Sequence, residues 1–398
     1  MTDFAPQIDD AHRSDAPPPE PLVFEFRGDA REYFRIWVVN LALSLCTLGL
    51  YSPWAKVRRL RYFYGNACLD DSTFEFLGSP IAILKGRAIA VAAFAAYWYA
   101  SHFHPAANLV LVPLFAVAFP WVMVKALRFR ARHSAYRNLT FSYHGRYISL
   151  AMAYLTVPVV VIGTIIAAFF LLGGTVDLAG AVPVKIDPAA GRKLAVLFPL
   201  LMLAAIAVYP YFFYRQRRAI FAPRRFGDSS FQFDCGPGAF YSVFLLTILL
   251  AVVAMIVFGI SMWFTGVVGK AAHMAVPPEV IGAGMSLTFG LVNLYIFVAF
   301  NTLVRNRIIS ALCIGEARLS SRLKIGTVYM LYLTNIVAIV CSLGLFAPWA
   351  KIRLTRYQLA QTSLLAPQGT EGFTGSPGQS ASAVGEELAE VFDLDLAI

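Results

Sequence analysis

The stretch Leu48-Gly49-Leu50-Tyr51-Ser52-Pro53-Trp54-Ala55-Lys56-Val57-Arg58-Arg59 decides how this chain is read. It returns near the other end as Leu343-Gly344-Leu345-Phe346-Ala347-Pro348-Trp349-Ala350-Lys351-Ile352-Arg353-Leu354. Around it, Asn40, Cys46, Gly49, Pro53, Trp54, Ala55, Lys56, Arg58, Arg61 and Tyr62 recur 295 residues later as Asn335, Cys341, Gly344, Pro348, Trp349, Ala350, Lys351, Arg353, Arg356 and Tyr357. Ten identities at one offset are an internal repeat. In both copies an apolar run reaches a Leu-Gly-Leu-aromatic step, then a Pro that has no backbone donor, then Trp and a basic helix start. Trp suits a membrane interface, and Lys and Arg beside it suit anionic headgroups.

Composition places the repeat in a membrane protein. Of 398 residues, 58% are apolar and 14% charged, and mean hydropathy is +0.64, well above soluble averages. Spanning about 30 Å of hydrocarbon takes about 20 apolar residues. Eight stretches approach that length: 36–52, 88–100, 106–124, 147–172, 194–214, 240–265, 280–304 and 327–347. The net charge of +10 would suggest nucleic acid in a soluble protein, but here the basic residues fall on one set of loops. Segments 53–87, 125–146, 215–238 and 305–326 hold 22 of them, and the alternate loops 101–105, 173–193 and 266–279 hold 4. The positive-inside rule makes the first set cytoplasmic, and no nucleic-acid partner is expected.

Eight full spans conflict with that assignment, because they would put both ends outside. If instead the first and last stretches are broken or re-entrant, both ends and both copies of the basic cluster become cytoplasmic. The Gly before Pro favours a break, while 17 and 21 apolar residues are long enough to span. A second, shorter repeat bears on the same question: Phe24-Glu25-Phe26-Arg27-Gly28, Phe74-Glu75-Phe76-Leu77-Gly78, Phe141-Ser142-Tyr143-His144-Gly145 and the longer Phe231-Gln232-Phe233-Asp234-Cys235-Gly236. Alternating aromatic and polar residues ending in Gly read as short strands, which would form a small cytoplasmic cap. The expected fold class is an all-α polytopic membrane protein of six to eight transmembrane helices, the first and last spanning or re-entrant, with short cytoplasmic β-strand segments.

The run from Glu32 to Gly78, with the Trp-Ala-Lys motif and Arg61-Tyr62-Phe63-Tyr64-Gly65-Asn66, together with its second copy and the acidic ending Gly385-Glu386-Glu387-Leu388 to Asp395, resembles the YjgN-like membrane family of bacteria, a domain of unknown function. The resemblance implies a multi-pass protein of the bacterial inner membrane and carries no catalytic residues. On this reading residues 1–21 are a disordered tail, 22–365 the integral membrane domain, and 366–398 a flexible acidic tail able to dock on the chain's own basic loops or on a protein partner.

Candidate functional residues are few. The repeated Trp54, Lys56, Arg58, Arg61 and Trp349, Lys351, Arg353, Arg356 either anchor the topology or contact an anionic lipid headgroup or phosphorylated ligand. Asn40, Asn335, Asn293 and Asn301 are polar groups at membrane depth, where interhelical hydrogen bonding is the ordinary role and substrate contact the sharper one. His102 and His104 are too few to close a metal shell. The five cysteines form no CxxC, and no metal or cofactor is expected. No grouping of His, Asp, Ser or Cys at catalytic spacing lies at membrane depth, so the chain is not expected to be an enzyme. The leading expectation is a transporter or permease for a small molecule or lipid, favoured by a deep polar cavity between the repeats. The alternative is a membrane scaffold, favoured by a solid helix bundle.

Overall fold

The structure is a computed structural model that describes residues 20–171, 188–271, 277–367, 369 and 373. The expected N-terminal tail and the acidic end lie almost wholly outside these residues. Two short strands, β1 (Leu22–Val23) and β2 (Glu25–Phe26), are followed by the helix pair α1 (Ala30–Cys46) and α2 (Ser52–Gly65). Hairpins and helix pairs then alternate: β3 (Ala67–Leu69) and β4 (Ser72–Phe76), α3 (Pro80–Phe103) and α4 (Asn108–Arg132), β5 (Ser134–Tyr136) and β6 (Leu139–Tyr143), α5 (Tyr147–Leu171) and α6 (Pro188–Phe221). The series continues through β7 (Arg224–Phe226) and β8 (Ser229–Phe233), α7 (Gly238–Ala271) and α8 (Pro278–Ser310), β9 (Leu312–Ile314) and β10 (Ala317–Ser321), α9 (Ile325–Cys341) and α10 (Ala347–Ala360), and ends on β11 (Thr362–Leu365).

All eleven strands belong to one antiparallel sheet, in the order β1-β11-β10-β9-β8-β7-β6-β5-β4-β3-β2. Its two end strands are halves of one N-terminal strand, since only Phe24 separates β1 from β2. β1 pairs with β11 (Val23 opposite Ser363) and β2 with β3 (Glu25 opposite Cys68). The sheet therefore closes on itself, which removes its edges. The helices close in the same way: each packs on its neighbour in chain order, and α10 packs on α1.

The ring is built from five versions of one module, the fifth assembled from the two ends of the chain. One backbone bond joins each module to the next: Arg27 N–H to Asn66 O, Leu77 N–H to His133 O, His144 N–H to Pro223 O, Asp234 N–H to Ala311 O and Arg322 N–H to Gln361 O, all at 2.8–3.0 Å. Inside the sheet, equivalent positions make two stacked rings of side chains. Phe24, Phe74, Phe141, Phe231 and Leu319 form one, and Leu69, Tyr136, Phe226, Ile314 and Leu364 the other, around a residual void of about 100 Å³. Register places the rings in contact, with Phe74 opposite Tyr136 and Phe141 opposite Phe226, both at 4.7 Å between centroids. Aromatic pairs of this kind contribute about 0.5–1.5 kcal/mol each beyond their burial.

The glycine that ends each Phe-x-Phe-x-Gly strand follows from this packing. A Cβ at Gly28 or Gly78 would strike the ring of Phe26 or Phe76, and one at Gly145 the Tyr143 ring. The carbonyl of the same residue accepts from a side chain on the incoming helix: Arg61 Nη2 to Gly78 O at 3.3 Å, Arg128 Nη2 to Gly145 O at 3.2 Å, Arg356 Nη2 to Gly28 O at 2.9 Å, and Asn306 Nδ2 to Leu323 O at 2.9 Å. In the remaining module, which carries an extra residue at Asp234-Cys235, Arg218 donates to Tyr214 Oη instead.

Six helical segments are long and apolar enough to cross a membrane: Pro80–Phe103, Pro105–Arg132, Tyr147–Ala168, Ala195–Phe221, Gly238–Phe264 and Glu279–Ser310. The repeated stretches behave differently. α1 ends at Thr47, the chain turns through Leu48 (φ 49°) and Gly49 (φ 89°), and α2 runs back to the sheet; α9 and α10 do the same through Leu343 (φ 51°) and Gly344 (φ 94°). Gly49 N–H bonds Ser44 O and Gly344 N–H bonds Ile339 O, the long-range bond of a Schellman cap. Leu48 and Leu343, 96% and 95% exposed, form the tips. Both hairpins leave the sheet and return to it, and among the described residues the six long helices are the ones with the length and composition to cross. Six spans remove the parity conflict, since all strands share one sheet and both ends of the described chain then fall on its side. The fold is thus helical and polytopic, and the all-α expectation is corrected by the closed sheet. The strands carry two to five residues each and are stabilised by pairing between modules.

Candidate functional site

Between the sheet and the membrane helices lies a cavity of about 690 Å³. Its walls come from the two repeats: Leu60, Phe63 and Tyr64 of α2 on one side, and Ile336 and Ile339 of α9 with Ala350, Leu354 and Gln358 of α10 on the other. Phe24, Phe74 and Phe141 of the first aromatic ring make its floor. Four cationic side chains, Arg59, Arg130, Arg305 and Lys351, contribute to the lining, and no Asp or Glu does among the described residues. The cavity is therefore apolar in its walls and positive in its charge.

A second cavity of about 340 Å³ shares Arg305, Tyr332 and Gln358 with the first and adds Arg217, Asn301 and Thr302. Module alignment makes Arg217 and Arg305 equivalents, each seven residues before its strand, on α6 and α8. Both guanidiniums have a buried Nε without a hydrogen-bond partner. Arg217 lies 4.6 Å over the Phe213 ring. A fifth arginine, Arg224 in β7, is buried at 9% exposure with its Cζ 4.6 Å over the Phe221 ring. Burial first, and then the charge of Arg130, pushes its guanidinium down to about 10.

Of the residues singled out from sequence, Lys351 and Asn335 line the main cavity, and Asn301 lines the second. Lys351 Nζ sits 5.4 Å over the Phe63 ring, which ties α10 to α2. Asn40 and Asn335 make equivalent bonds fifteen residues along the chain, Nδ2 to Ala55 O at 3.4 Å and Nδ2 to Ala350 O at 3.3 Å, which pin the two arms of each helical hairpin together. Asn293 and Asn301 each donate to a carbonyl one turn back, Phe289 O and Phe297 O, at 2.8 Å. Arg61 and Arg356 hold the strand-end carbonyls described above. Trp54 and Trp349 are exposed near the hairpin turns, beside Tyr51 at 6.2 Å and Phe346 at 5.9 Å. Arg353 lies against Trp349 at 5.2 Å and donates to Thr334 Oγ1 at 2.7 Å, while Arg58 is exposed and Lys56 half-buried outside the cavity lining.

Arg59, Arg130, Arg217 and Arg305 were not singled out by sequence reasoning. Their signal appears once the five modules are aligned: the cations stand where sister modules carry other residue types, as Arg59 does against Leu354, and only Arg217 and Arg305 match each other.

Residues 21–391 match a family model described as a bacterial protein of unknown function, DUF898. Among curated proteins the chain is similar to inner membrane protein YjgN of Salmonella typhimurium strain LT2, 29% identical over 119 residues, and to inner membrane protein YjgN of Escherichia coli K12, 30% identical over 127 residues. These matched stretches cover 30% of this chain and 30–31% of the relatives' own length. No solved structure matches.

Proposed function

The chain belongs to the DUF898 family and is a multi-pass protein of the bacterial inner membrane; from that premise we propose that it binds an anionic amphiphile in the cavity between its two repeated helical hairpins and carries it between the bilayer and the sheet side. One observation carries the reading: a 690 Å³ space lined, among the described residues, by four cationic side chains and no carboxylate, at the level where helices meet sheet. Cationic side chains beside an apolar wall favour an ionised, oxygen-rich headgroup, which Arg binds in bidentate fashion. Leu60, Phe63, Ile336, Ile339 and Leu354 supply the apolar wall that an acyl chain needs. The bias of basic residues favours a cytoplasmic sheet, and on that reading the aromatic rings close the cavity from that face. No catalytic chemistry enters this role.

The test is the purified chain in sealed vesicles holding a fluorescent short-chain phosphatidylglycerol or, separately, phosphatidylcholine analogue. Chemical quenching of the outer leaflet then reads movement between leaflets. Movement of the anionic analogue at least tenfold faster than in protein-free vesicles, reduced severalfold by Arg59→Gln, supports the proposal. Equal rates for both analogues, or none above the protein-free level, would remove it and favour the scaffold reading.

A further inference from the structure

We infer that Arg217 and Arg305 form the headgroup subsite of this cavity system and bind phosphate through their unsatisfied guanidiniums. The inference rests on the anionic-amphiphile reading for its biological ligand, but its geometry stands on separate observations. Both arginines occupy the same module position on α6 and α8 and line the same 340 Å³ cavity. Each keeps a buried Nε that no protein acceptor satisfies. Among the described residues no carboxylate pairs with either, and no Asp or Glu lines the space they share.

Two guanidiniums lining one cavity, each partly out of water and without a counter-ion among the described residues, are a costly arrangement for a protein that could have used any neutral side chain there. Three sister modules show that the fold does not require the charge: the equivalent positions are Leu60, Leu127 and Thr355. An anion that accepts from a fork removes that cost, and phosphate matches the chemistry because a guanidinium can donate to two of its oxygens. The Phe213 ring beneath Arg217 fixes one fork by a cation–π contact. Around the pair, Asn301, Thr302 and Gln358 supply neutral hydrogen-bonding groups at the cavity wall. Gln358 and Arg305 also line the larger cavity, so a headgroup held here leaves its apolar tail against the walls of the 690 Å³ space.

The ligand is either a phospholipid headgroup or a free phosphate ester, and the experiment separates them. The full-length chain in a neutral detergent is titrated with inorganic phosphate, with glycerol 3-phosphate, and with mixed micelles containing phosphatidic acid or, as control, diacylglycerol. Binding is read by the shift in melting temperature. We expect phosphate-bearing ligands to raise the midpoint and diacylglycerol to leave it unchanged. A lipid source predicts an apparent affinity for phosphatidic acid at least tenfold above that for glycerol 3-phosphate, and a soluble source predicts equal affinities. Arg217→Gln and Arg305→Gln should each weaken phosphate binding at least tenfold. Without ligand they should melt at or above the wild-type temperature, because an unsatisfied charge is removed. Binding unchanged in both variants but weakened by Arg59→Gln would overturn this subsite and leave the amphiphile reading intact. No phosphate-dependent shift in the wild-type chain would overturn the subsite, and unaltered lipid movement in vesicles would then be what spares the broader reading.

Discussion

The two repeated helical hairpins share a backbone and differ in chemistry. In both, an Asn at mid-helix ties the arms together, a Leu-Gly turn reverses the chain, and an Arg on the returning helix holds a strand-end carbonyl. They part where they face the cavity. Arg59 of α2 stands opposite Leu354 of α10, Lys351 enters the lining while its counterpart Lys56 does not, and Asn335 Oδ1 accepts from Arg353 at 3.5 Å while Asn40 Oδ1 is buried without a partner. The difference teaches that identity between the copies marks what holds the ring closed, and divergence marks what the ring is for.

The strongest way to break that comparison lies at the strand ends. Gly28 corresponds to Leu323, and the two positions are not interchangeable: Phe26 lies over Gly28, whereas Ser321 leaves room for Leu323, which is buried against Val298 and Val328. Gly28→Leu should cost about 3 kcal/mol through overpacking, and Leu323→Gly about 2–3 kcal/mol through lost burial. Thermal melts of the purified chain check both, and a Gly28→Leu variant as stable as wild type would contradict the closed sheet.

Smaller effects sharpen the comparison at the hairpins. Gly49→Ala and Gly344→Ala place a side chain at φ near +90° and should each cost about 1–2 kcal/mol, equally in both copies. The asparagines should not respond equally. Asn335→Leu loses a bond to Ala350 and an acceptor for Arg353, a cost of about 1 kcal/mol. Asn40→Leu loses the same bond but also removes an unsatisfied buried oxygen, so its net effect should lie near zero. Thermal melts of the two single variants, compared with wild type, would read the difference directly.

Much of this architecture is visible in the sequence for physical reasons. Runs of 20 or more apolar residues need no tertiary context to declare a span, and the 22-to-4 bias of basic residues orients them. The hairpins resist such reading because a 17-residue helix is about 25 Å long, close to the bilayer core, so length alone does not separate crossing from returning. The sheet is harder still. A three-residue strand such as Ser134–Tyr136 has no independent stability, and its partner Phe74–Phe76 is about 60 residues away. The β9–β10 hairpin escapes the Phe-x-Phe-x-Gly pattern altogether, since Leu319, Ser321 and Leu323 stand in place of the aromatics and glycine. The cavity arginines are scattered over 246 positions and acquire meaning only when the modules are superposed. The repeated Trp-Ala-Lys motif draws the eye first, yet Arg61 and Arg356 within it serve the frame.

The most direct measurement compares charge at divergent positions with charge at repeated ones. Native mass spectrometry of the gently purified chain would count bound anionic lipid in wild type, in Arg59→Gln with Arg305→Gln, and in Arg58→Gln with Arg353→Gln. The account predicts that retained anionic lipid falls at least tenfold in the first pair and changes less than twofold in the second. Equal losses in both pairs, or a loss confined to the second, would contradict it.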